Sequence, residues 1–215
     1  MLKIIITGST GMVGKGALLE CIESDEVSEV LLVNRRPVGI THPKMKELLV
    51  KDFFDLSEIE YQLKGYSACF FSLGISAVGK SEDEYTKITY DLTMNFARVL
   101  HKHNPGMTFM YVSGQGTDST EAGKMMWARV KGKTENDLLK LGFKASHMFR
   151  PGLIVPKKGI EGQWFYTITR PLHSLFLKLK SVTDTVRIGQ AAIKVGLDGH
   201  KKAILNPEDI NALAL

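Results

Sequence analysis

The chain has 215 residues, of which 44% are hydrophobic and 24% are charged, and its net charge at pH 7 is +5. These values are typical of a folded domain with an ordinary apolar core, and they exclude the collagen-like and intrinsically disordered classes. The positive charge is scattered, with no basic run interleaved with aromatic residues, so we expect no nucleic-acid partner. No apolar stretch reaches the roughly 18 residues that a membrane-spanning helix needs, so we expect no membrane partner.

The cysteines and the first residues of the chain bear on metal binding and on the cellular compartment. Cys21 and Cys69 each lie among apolar residues, which predicts buried hydrophobic side chains rather than ligands or nucleophiles. The two cysteines and six histidines show no ligand spacing, so we expect no metal site. The chain opens on a strand pattern rather than a cleavable targeting signal, and we therefore expect a cytoplasmic protein.

A glycine-rich segment at residues 7–14 lies between an apolar run at residues 2–6 and a helix pattern at residues 15–22. This order of strand, glycine turn and helix is typical of dinucleotide binding. The first glycine permits a tight turn, the second leaves room for a pyrophosphate, and the third lets the helix pack closely on the strand. The helix N-terminus offers unpaired N–H groups to phosphates, although an ordinary glycine-rich turn without a ligand is the alternative. The predicted contacts are Gly8, Thr10, Gly11, Met12, Val13 and Gly14.

Strand and helix patterns alternate through the rest of the chain. Since parallel strands require crossover connections, this alternation predicts a parallel sheet with helices on both faces. We expect one α/β domain over residues 1–215 with a Rossmann-type doubly wound parallel sheet, and residues 156–200 as a small C-terminal helical appendage on the substrate side. The remaining predicted strands are at residues 29–33, 48–50, 68–72, 107–112, 145–149 and 202–205. The remaining predicted helices are at residues 57–64, 82–103, 125–141, 162–180 (broken at Pro171), 183–197 and 207–214, and residues 37–46 form a loop.

The end of the second predicted strand is the position that selects between the two nicotinamide dinucleotides. Asn34, Arg35 and Arg36 stand there, about 20 residues after the last glycine of the turn. An acidic residue at this point would bind a ribose 2′-hydroxyl, whereas a guanidinium fork matches the oxygens of a 2′-phosphate. The sequence therefore favours NADP over NAD. The alternative is that both arginines are simply solvated at a strand end.

Two further strand ends are candidate contacts for the adenosine half of the cofactor. Asp52 and Phe53 follow the third strand, where a carboxylate can accept a hydrogen bond from the adenine amino group. Asp52 is equally compatible with a simple turn. Leu73 and Gly74 follow the fourth strand, where Gly74 lets the backbone approach a ribose because it has no side chain. The alternative for Gly74 is a plain glycine at a strand end.

In chain order, these motifs resemble those of the atypical short-chain dehydrogenases/reductases, in particular the Tat-interacting-protein-like oxidoreductases and the NAD-dependent epimerase/dehydratase-like proteins. The resemblance spans residues 1–155 and is specific for the superfamily but not for a substrate. It implies an NAD(P)-binding Rossmann fold and a catalytic set of Ser, Tyr and Lys. The Tyr and Lys of that set stand four residues apart on one helix face. The matching segments are residues 7–14, 34–36, 52–53, 73–74, 111–113, 130–132 and 149–152.

The resemblance places the family's chemistry on Ser113 and Lys131, with one departure. Ser113 follows the fifth strand and would orient the substrate oxygen, and Lys131 on the next helix would hold the nicotinamide ribose. Trp127 stands four residues before Lys131, where the family has Tyr. An indole N–H donates a hydrogen bond but does not release a proton near neutral pH, so Trp127 is instead a candidate wall of the substrate pocket. The alternatives are a turn serine, a solvated lysine and a helix-packing tryptophan.

The nicotinamide end of the cofactor is expected at the turn after the sixth strand. By the resemblance, Pro151 and Gly152 shape the backbone there, and hydrogen bonds from Leu153 and Ile154 orient the ring. The alternative is a plain turn without a ligand. Tyr166 is the tyrosine that we would test as a replacement acid or as a residue of the substrate pocket.

Two functions are compatible with these features. The first is an NADP-dependent oxidoreductase, or an epimerase-like or dehydratase-like relative, that acts on a small carbonyl, alcohol or sugar-like substrate. The second, favoured by the missing tyrosine, is a protein that binds NADP without turnover and serves as a redox sensor or regulator. The segments that would shape the substrate, residues 76–84 and 156–182, are irregular. The sequence therefore identifies neither the substrate nor the oligomeric state.

Overall fold

Parallel strands form the sheet at the centre of the fold in the computed structural model, which describes residues 1–157, 160 and 181–214. The described strands are β1 (Leu2–Thr7), β2 (Val27–Asn34), β3 (Met45–Leu49), β4 (Ala68–Phe71), β5 (Thr108–Val112), β6 (Ala145–Phe149), β7 (Leu153–Val155), β8 (Val182–Asp184) and β9 (Ile204–Leu205). Seven of them pair in the order β3-β2-β1-β4-β5-β6-β9, and every pair is parallel. The predicted Rossmann-type sheet is confirmed.

The strand order reverses beside β1, because β2 and β3 lie on one side of it and β4 lies on the other. In doubly wound sheets, ligands bind in the crevice at such a reversal, outside the carboxyl ends of the strands. The glycine turn follows β1 at this crevice. The topology therefore places the predicted dinucleotide motif where this fold binds its ligands.

The helices cover the two faces of the sheet. The described α-helices are α1 (Met12–Glu23), α2 (Glu82–Thr86), α3 (Leu92–His103), α4 (Met126–Lys140), α5 (Thr185–Asp198) and α6 (Pro207–Leu213). A π-helical segment, Lys87–Asp91, lies between α2 and α3, so the helix predicted over residues 82–103 is present but is not α-helical throughout. The helices predicted at residues 162–180 lie outside the described residues, and the predicted appendage remains a prediction.

Several elements differ from the sequence prediction in their bounds or type. α1 begins at Met12 rather than at residue 15, because the helix starts inside the glycine motif. β3 lies at Met45–Leu49 rather than at residues 48–50. The α-helix predicted at residues 57–64 is wrong, since only a 3₁₀ turn, Glu60–Leu63, forms there. The Asp55 carboxylate accepts hydrogen bonds from the N–H and hydroxyl of Ser57, which holds the start of this segment in a local turn.

β7 and β8 form a separate two-stranded parallel ladder that the sequence analysis did not predict. Each strand has three residues, which is too short for alternation of apolar and polar residues to indicate a strand. The ladder pairs Leu153 with Val182 and Val155 with Asp184. It therefore ties the turn after β6 to the start of α5.

Two apolar clusters, one on each face of the sheet, hold the helices in place. Alternate residues of β1 point to opposite faces, so Ile5 lies in one cluster while Ile4 lies in the other. Phe96 of α3 packs in the first cluster, and Leu18 of α1 and Ile188 of α5 pack in the second. Helices on both faces were predicted, and this layering confirms them.

The two cysteines are buried and free, as predicted. Burial raises the pKa of the Cys21 thiol to about 12, so it stays protonated at physiological pH. In the described part of the chain, no helix has both the length and the apolar character needed to cross a bilayer. Nor do the described residues contain a group of three or more His, Cys, Asp or Glu that could hold a metal ion.

Candidate cofactor site

The glycine turn after β1 is packed tightly against the end of β4. Gly8 has a φ of +70°, and a Cβ on it would lie 2.8 Å from the Ser72 carbonyl carbon and 2.9 Å from the Leu73 nitrogen. A Cβ on Gly14 would overlap the Gly8 carbonyl oxygen and lie 2.6 Å from Ser72 Oγ. The predicted steric roles of Gly8 in the turn and of Gly14 in helix packing are confirmed. Their proximity to a cofactor remains a prediction.

The N-terminal turn of α1 is suited to a phosphate ligand. A Cβ built on Gly11 would meet no described atom closer than the Gly8 carbonyl oxygen, at 3.3 Å. No side chain caps α1 and its first turn holds no acidic residue, so its first N–H groups have no partner within the helix. Thr10 is exposed at the turn, and Met12 and Val13 are half-buried. Free N–H groups and the positive end of the helix dipole together are what a diphosphate requires.

The predicted selector residues lie beside the glycine turn. Asn34, at the end of β2, is buried, and its Nδ2 donates hydrogen bonds to Ser9 Oγ at 2.7 Å and to Glu47 Oε1 at 2.8 Å. Among the described residues its Oδ1 has no hydrogen-bond partner. Arg35 and Arg36 follow with both side chains exposed to solvent. The two guanidinium groups are therefore open to solvent next to the glycine turn.

The residues predicted to contact the adenosine differ in how far their side chains are exposed. The Phe53 ring is buried in the core and lies 5.8 Å from the Phe96 ring, so any cofactor contact of Phe53 must come from its backbone. The exposed Asp52 carboxylate accepts a hydrogen bond from the Phe54 N–H at 2.9 Å, which is the turn alternative left open by the sequence. Beside Gly8, Leu73 is half-buried, and Gly74 is exposed with no described atom within 4 Å of a Cβ position. Gly74 therefore leaves the room that a ribose needs.

Ser113 is placed differently from the role that the resemblance implies. Its side chain is buried at the end of β5, and its hydroxyl donates a hydrogen bond to a carboxylate oxygen of Glu135. The same hydroxyl lies 3.2 Å from the Phe149 carbonyl oxygen. The hydroxyl is thus engaged inside the protein, and its orientation of a substrate oxygen remains a prediction.

Glu135 and Arg150 form a buried ion pair that sequence reasoning missed. The Glu135 side chain is fully buried, and Arg150 Nε donates to its Oε1 at 3.0 Å while Arg150 Nη2 contacts its Oε2. Arg150 Nη2 also donates to Ser119 Oγ at 2.6 Å. The pair joins α4 to the end of β6 and to the loop after β5. The available signal was that Glu135 stands four residues after Lys131, on the same face of α4.

Lys131 reaches from α4 to the end of β5. Its ammonium donates a hydrogen bond to the Ser113 carbonyl oxygen. Burial lowers the pKa of Lys131 from 10.5 to about 8, and the Glu135 carboxylate opposes part of that lowering. Lys131 therefore carries a proton near neutral pH and can release it at moderately alkaline pH. Such a perturbed group at the carboxyl edge of the sheet is typical of a functional site.

Trp127 lies one helical turn before Lys131 and covers the loop that follows β5. A Cβ on Gly116, which has a φ of +88°, would lie 3.2 Å from Cη2 of the indole. The side chain is half-buried. The ring thus forms a wall next to the end of β5, while its contact with a substrate remains a prediction.

The turn after β6 approaches the same loop. The Pro151 carbonyl oxygen accepts a hydrogen bond from the Gln115 N–H at 2.9 Å. A Cβ on Gly152 would overlap the Ser181 carbonyl oxygen and lie 2.6 Å from Gln115 Oε1. Leu153 and Ile154 belong to β7, which pairs with β8 along one edge, and no other described strand pairs with it. The structure therefore brings Gln115, which the sequence analysis did not select, next to the predicted nicotinamide contacts.

Tyrosines other than Tyr166 do not supply an accessible phenol at this edge. Tyr166 lies outside the described residues. Burial raises the pKa of Tyr85 and of Tyr111, and both side chains are in the interior. The Tyr90 hydroxyl donates a hydrogen bond to Asp137 at 2.7 Å. Each of these three phenols is thus held in its protonated form.

Curated proteins of similar sequence include fungal and mammalian relatives. The chain is 29% identical over 208 residues to protein FMP52-1, mitochondrial, of Scheffersomyces stipitis, covering 94% of this chain and 91% of the relative. It is 30% identical over 159 residues to protein FMP52, mitochondrial, of Debaryomyces hansenii, covering 73% and 69%. It is 26% identical over 166 residues to protein HTATIP2 of Rattus norvegicus, covering 75% and 67%. No protein-family model matches the sequence.

Solved structures of similar fold include a protein in complex with NAD and an epimerase. MoeE5 in complex with UDP-glucose and NAD superposes with a TM-score of 0.70 at 16% identity, over 95% of this chain and 75% of that chain. The ADP-L-glycero-D-manno-heptose-6-epimerase of Helicobacter pylori superposes with a TM-score of 0.72 at 13% identity, over 95% and 76%. At these identities the likeness establishes the fold alone.

The expected cytoplasmic location is wrong in the light of these relatives. The FMP52 proteins of three yeasts, one of which has two copies, are all named as mitochondrial. The expectation rested on a missing targeting pattern. Such an absence is not a positive signal for any compartment.

Proposed function

Because the chain belongs to the FMP52 family and has the Rossmann fold of the atypical short-chain dehydrogenases/reductases, we propose that it is an NADP-dependent oxidoreductase. The observation that carries the proposal is the geometry at the reversal of strand order. There, the tightly packed glycines leave the first turn of α1 open, and the exposed Arg35 and Arg36 stand at the neighbouring strand end. Free helix N–H groups suit a diphosphate, and two guanidinium groups suit a 2′-phosphate.

The rest of the cofactor follows the carboxyl edge of the sheet in this proposal. Gly74 leaves space for a ribose, and the edge of β7 opposite β8, with which no other described strand pairs, would offer backbone groups to the nicotinamide amide. Lys131 would hold the second ribose, since its ammonium lies at the end of β5. Structural neighbours whose names include sugar nucleotides or sugars support a small carbonyl, alcohol or sugar-like substrate.

The proton that accompanies hydride transfer needs a donor other than a motif tyrosine. When bound, the nicotinamide would supply or accept the hydride. Of Ser113, Trp127 and Lys131, only Lys131 ionises near neutral pH, because burial lowers its pKa to about 8. We infer that Lys131 gives or takes this proton, while the Trp127 ring limits water at the end of β5. In carbonyl reduction, the rate should then fall as pH rises through about 8.

A second candidate function is a protein that binds NADP without turnover. Two observations favour it. Trp127 occupies the tyrosine position, and the Ser113 hydroxyl is already hydrogen-bonded to the buried Glu135. A redox sensor or regulator needs the cofactor cradle but no acid–base group, so this arrangement is compatible with it.

Turnover separates the two functions. Purified protein is mixed with NADPH and a panel of aldehydes, ketones and keto-sugars, and the loss of nicotinamide absorbance is followed, with NADPH binding measured by calorimetry in parallel. Oxidation of NADPH with any member supports the enzyme, whereas binding without oxidation supports the sensor. Failure to bind NADPH contradicts both. Trp127→Tyr is the matched variant, and a reductase activity gained by it would show that the remainder of the site is competent.

A further inference from the structure

A single carboxylate oxygen fastens both ends of the loop that carries the arginine pair. Glu47 Oε1 accepts a hydrogen bond from Asn34 Nδ2 at 2.8 Å and another from the Val38 N–H at 3.0 Å. Asn34 precedes Arg35, and Val38 follows Arg36 by two residues. The segment between these two fixed points is exposed to solvent. The hydrogen bonds that Glu47 accepts from Asn34 and Val38 therefore hold it at its two ends.

The same hydrogen bonds connect the arginine loop to the glycine turn. Asn34 Nδ2 donates to Ser9 Oγ at 2.7 Å, and Ser9 is fully buried between Gly8 and Gly11. Glu47 itself lies on β3, the edge strand, opposite Leu32 of β2. A chain of hydrogen bonds thus runs from the proposed diphosphate subsite to the proposed 2′-phosphate subsite.

We propose that Glu47 is a specificity-determining positioning residue that sets the preference for NADP over NAD without touching the cofactor. This inference rests on the proposed function, in which Arg35 and Arg36 bind the 2′-phosphate. A loop held at both ends loses less conformational freedom when its two long side chains engage a phosphate. Because only NADP carries that phosphate, the benefit of the fixed loop falls on NADP alone.

The reach of the Glu47 oxygen, and not its negative charge, is the property that this role requires. An amide oxygen at the same distance can accept both hydrogen bonds, whereas a shorter carboxylate cannot reach them. Glu47→Gln therefore keeps the loop anchored, and Glu47→Asp keeps the charge but withdraws the acceptor. The opposite role, in which the carboxylate binds a ribose hydroxyl directly, would depend on the charge and would favour NAD.

Calorimetric dissociation constants for NADPH and NADH test the inference. We expect Glu47→Asp and Glu47→Ala to weaken NADPH binding by about five- to tenfold, because two long side chains on a loosened loop must then be ordered when the phosphate binds, and NADH binding by less than about twofold. Glu47→Gln should stay within about twofold of the wild type for both. Leu49→Ala, on the same strand and exposed, is the matched control and should change neither. Unfolding curves of each variant establish that it is folded.

The outcomes separate this inference from the function on which it rests. Wild-type protein that binds no NADPH refutes the proposed function, and the inference with it. Wild-type binding with an unchanged NADPH-to-NADH ratio in Glu47→Asp and Glu47→Ala overturns the inference alone. So does a larger loss of NADH than of NADPH, or a Glu47→Gln variant as defective as Glu47→Asp. Should Glu47→Ala fail to fold, the Asp and Gln pair decides the question.

Discussion

Replacing Lys131 with methionine is expected to make the cofactor-free protein more stable near neutral pH. Burial lowers the pKa of Lys131 from 10.5 to about 8, so the folded protein holds this ammonium at a cost. The difference between the two values corresponds to about 3 kcal/mol, at about 1.36 kcal/mol for each tenfold change in proton affinity. The variant also loses the hydrogen bond to the Ser113 carbonyl, which offsets about 1–2 kcal/mol of the gain. We expect a net stabilisation of about 1–2 kcal/mol.

The pH dependence isolates the charge from the hydrogen bond. Because the pKa in the folded state lies below that in the unfolded state, the unfolded chain binds more protons between pH 8 and 10.5. The wild type should therefore gain stability, relative to Lys131→Met, as pH rises through this window, by about 3 kcal/mol at its end. Urea unfolding followed by tryptophan fluorescence at several pH values measures it.

Lys133, on the same helix, is a control for which the pH dependence of stability is expected to have the opposite sign. Lys133 is exposed, and its hydrogen bond with Asp137 raises the pKa of its ammonium, so its contribution to stability is lost as pH rises. A stability difference between wild type and Lys131→Met that is the same at pH 8 and pH 10.5 would refute the argument, because Lys131 would then titrate alike in both states. A Lys131→Met variant that is less stable at every pH would refute it as well.

The remaining predictions concern the cofactor site and the core. Arg35→Ala together with Arg36→Ala should weaken the binding of NADPH by about tenfold or more and that of NADH much less, since hydrogen bonds to charged groups contribute about 1.5–3 kcal/mol. Equal losses of affinity for both, measured by calorimetry, would remove the 2′-phosphate argument. Gly14→Ala should lower the free energy of unfolding by about 1–3 kcal/mol, because the new Cβ overlaps the backbone of the turn. Gly74→Ala should lower it by less than about 0.5 kcal/mol, because no described atom lies near the new Cβ. Similar melting temperatures for the two variants would contradict this. Burial lowers the pKa of His147 below 6.5, so the unfolded chain takes up a proton more readily than the folded chain, and the protein should lose stability as pH falls below 6.5. His147→Gln should flatten that part of the curve of stability against pH. An unchanged curve would exclude His147 as the cause.

The packing of the glycine turn and the exposure of the arginine pair were predictable from the sequence because their requirements are local. The spacing of Gly8, Gly11 and Gly14 between a strand and a helix encodes backbone clearance, which needs no knowledge of the rest of the chain. Arg35 and Arg36 were predicted from their distance along the chain from the turn. Both are exposed beside it, because β2 returns parallel to β1 and pairs with it, as consecutive strands commonly do.

The directions of side chains were not predictable from the sequence, because they depend on packing against distant segments. Ser113 lies at the end of β5 as predicted, but its hydroxyl donates to Glu135 of α4, and its role toward a substrate stays a prediction. Phe53 was predicted as an adenosine contact, and its ring lies in the core, since a residue's position at a strand end does not determine which face its side chain takes. A contact through the Phe53 backbone stays a prediction.

The sequence by itself determined the seven strands of the main sheet, the glycine turn and the arginine pair that follows β2, since these depend on periodicity and on spacing within about 30 residues. Only the tertiary structure decided which polar groups are used internally. The Glu135–Arg150 pair and the two hydrogen bonds that Glu47 accepts join segments from different strands and helices. The spacing of residues within one element does not identify the distant partner in such contacts, because a buried carboxylate is stable only when the fold brings its donors to it.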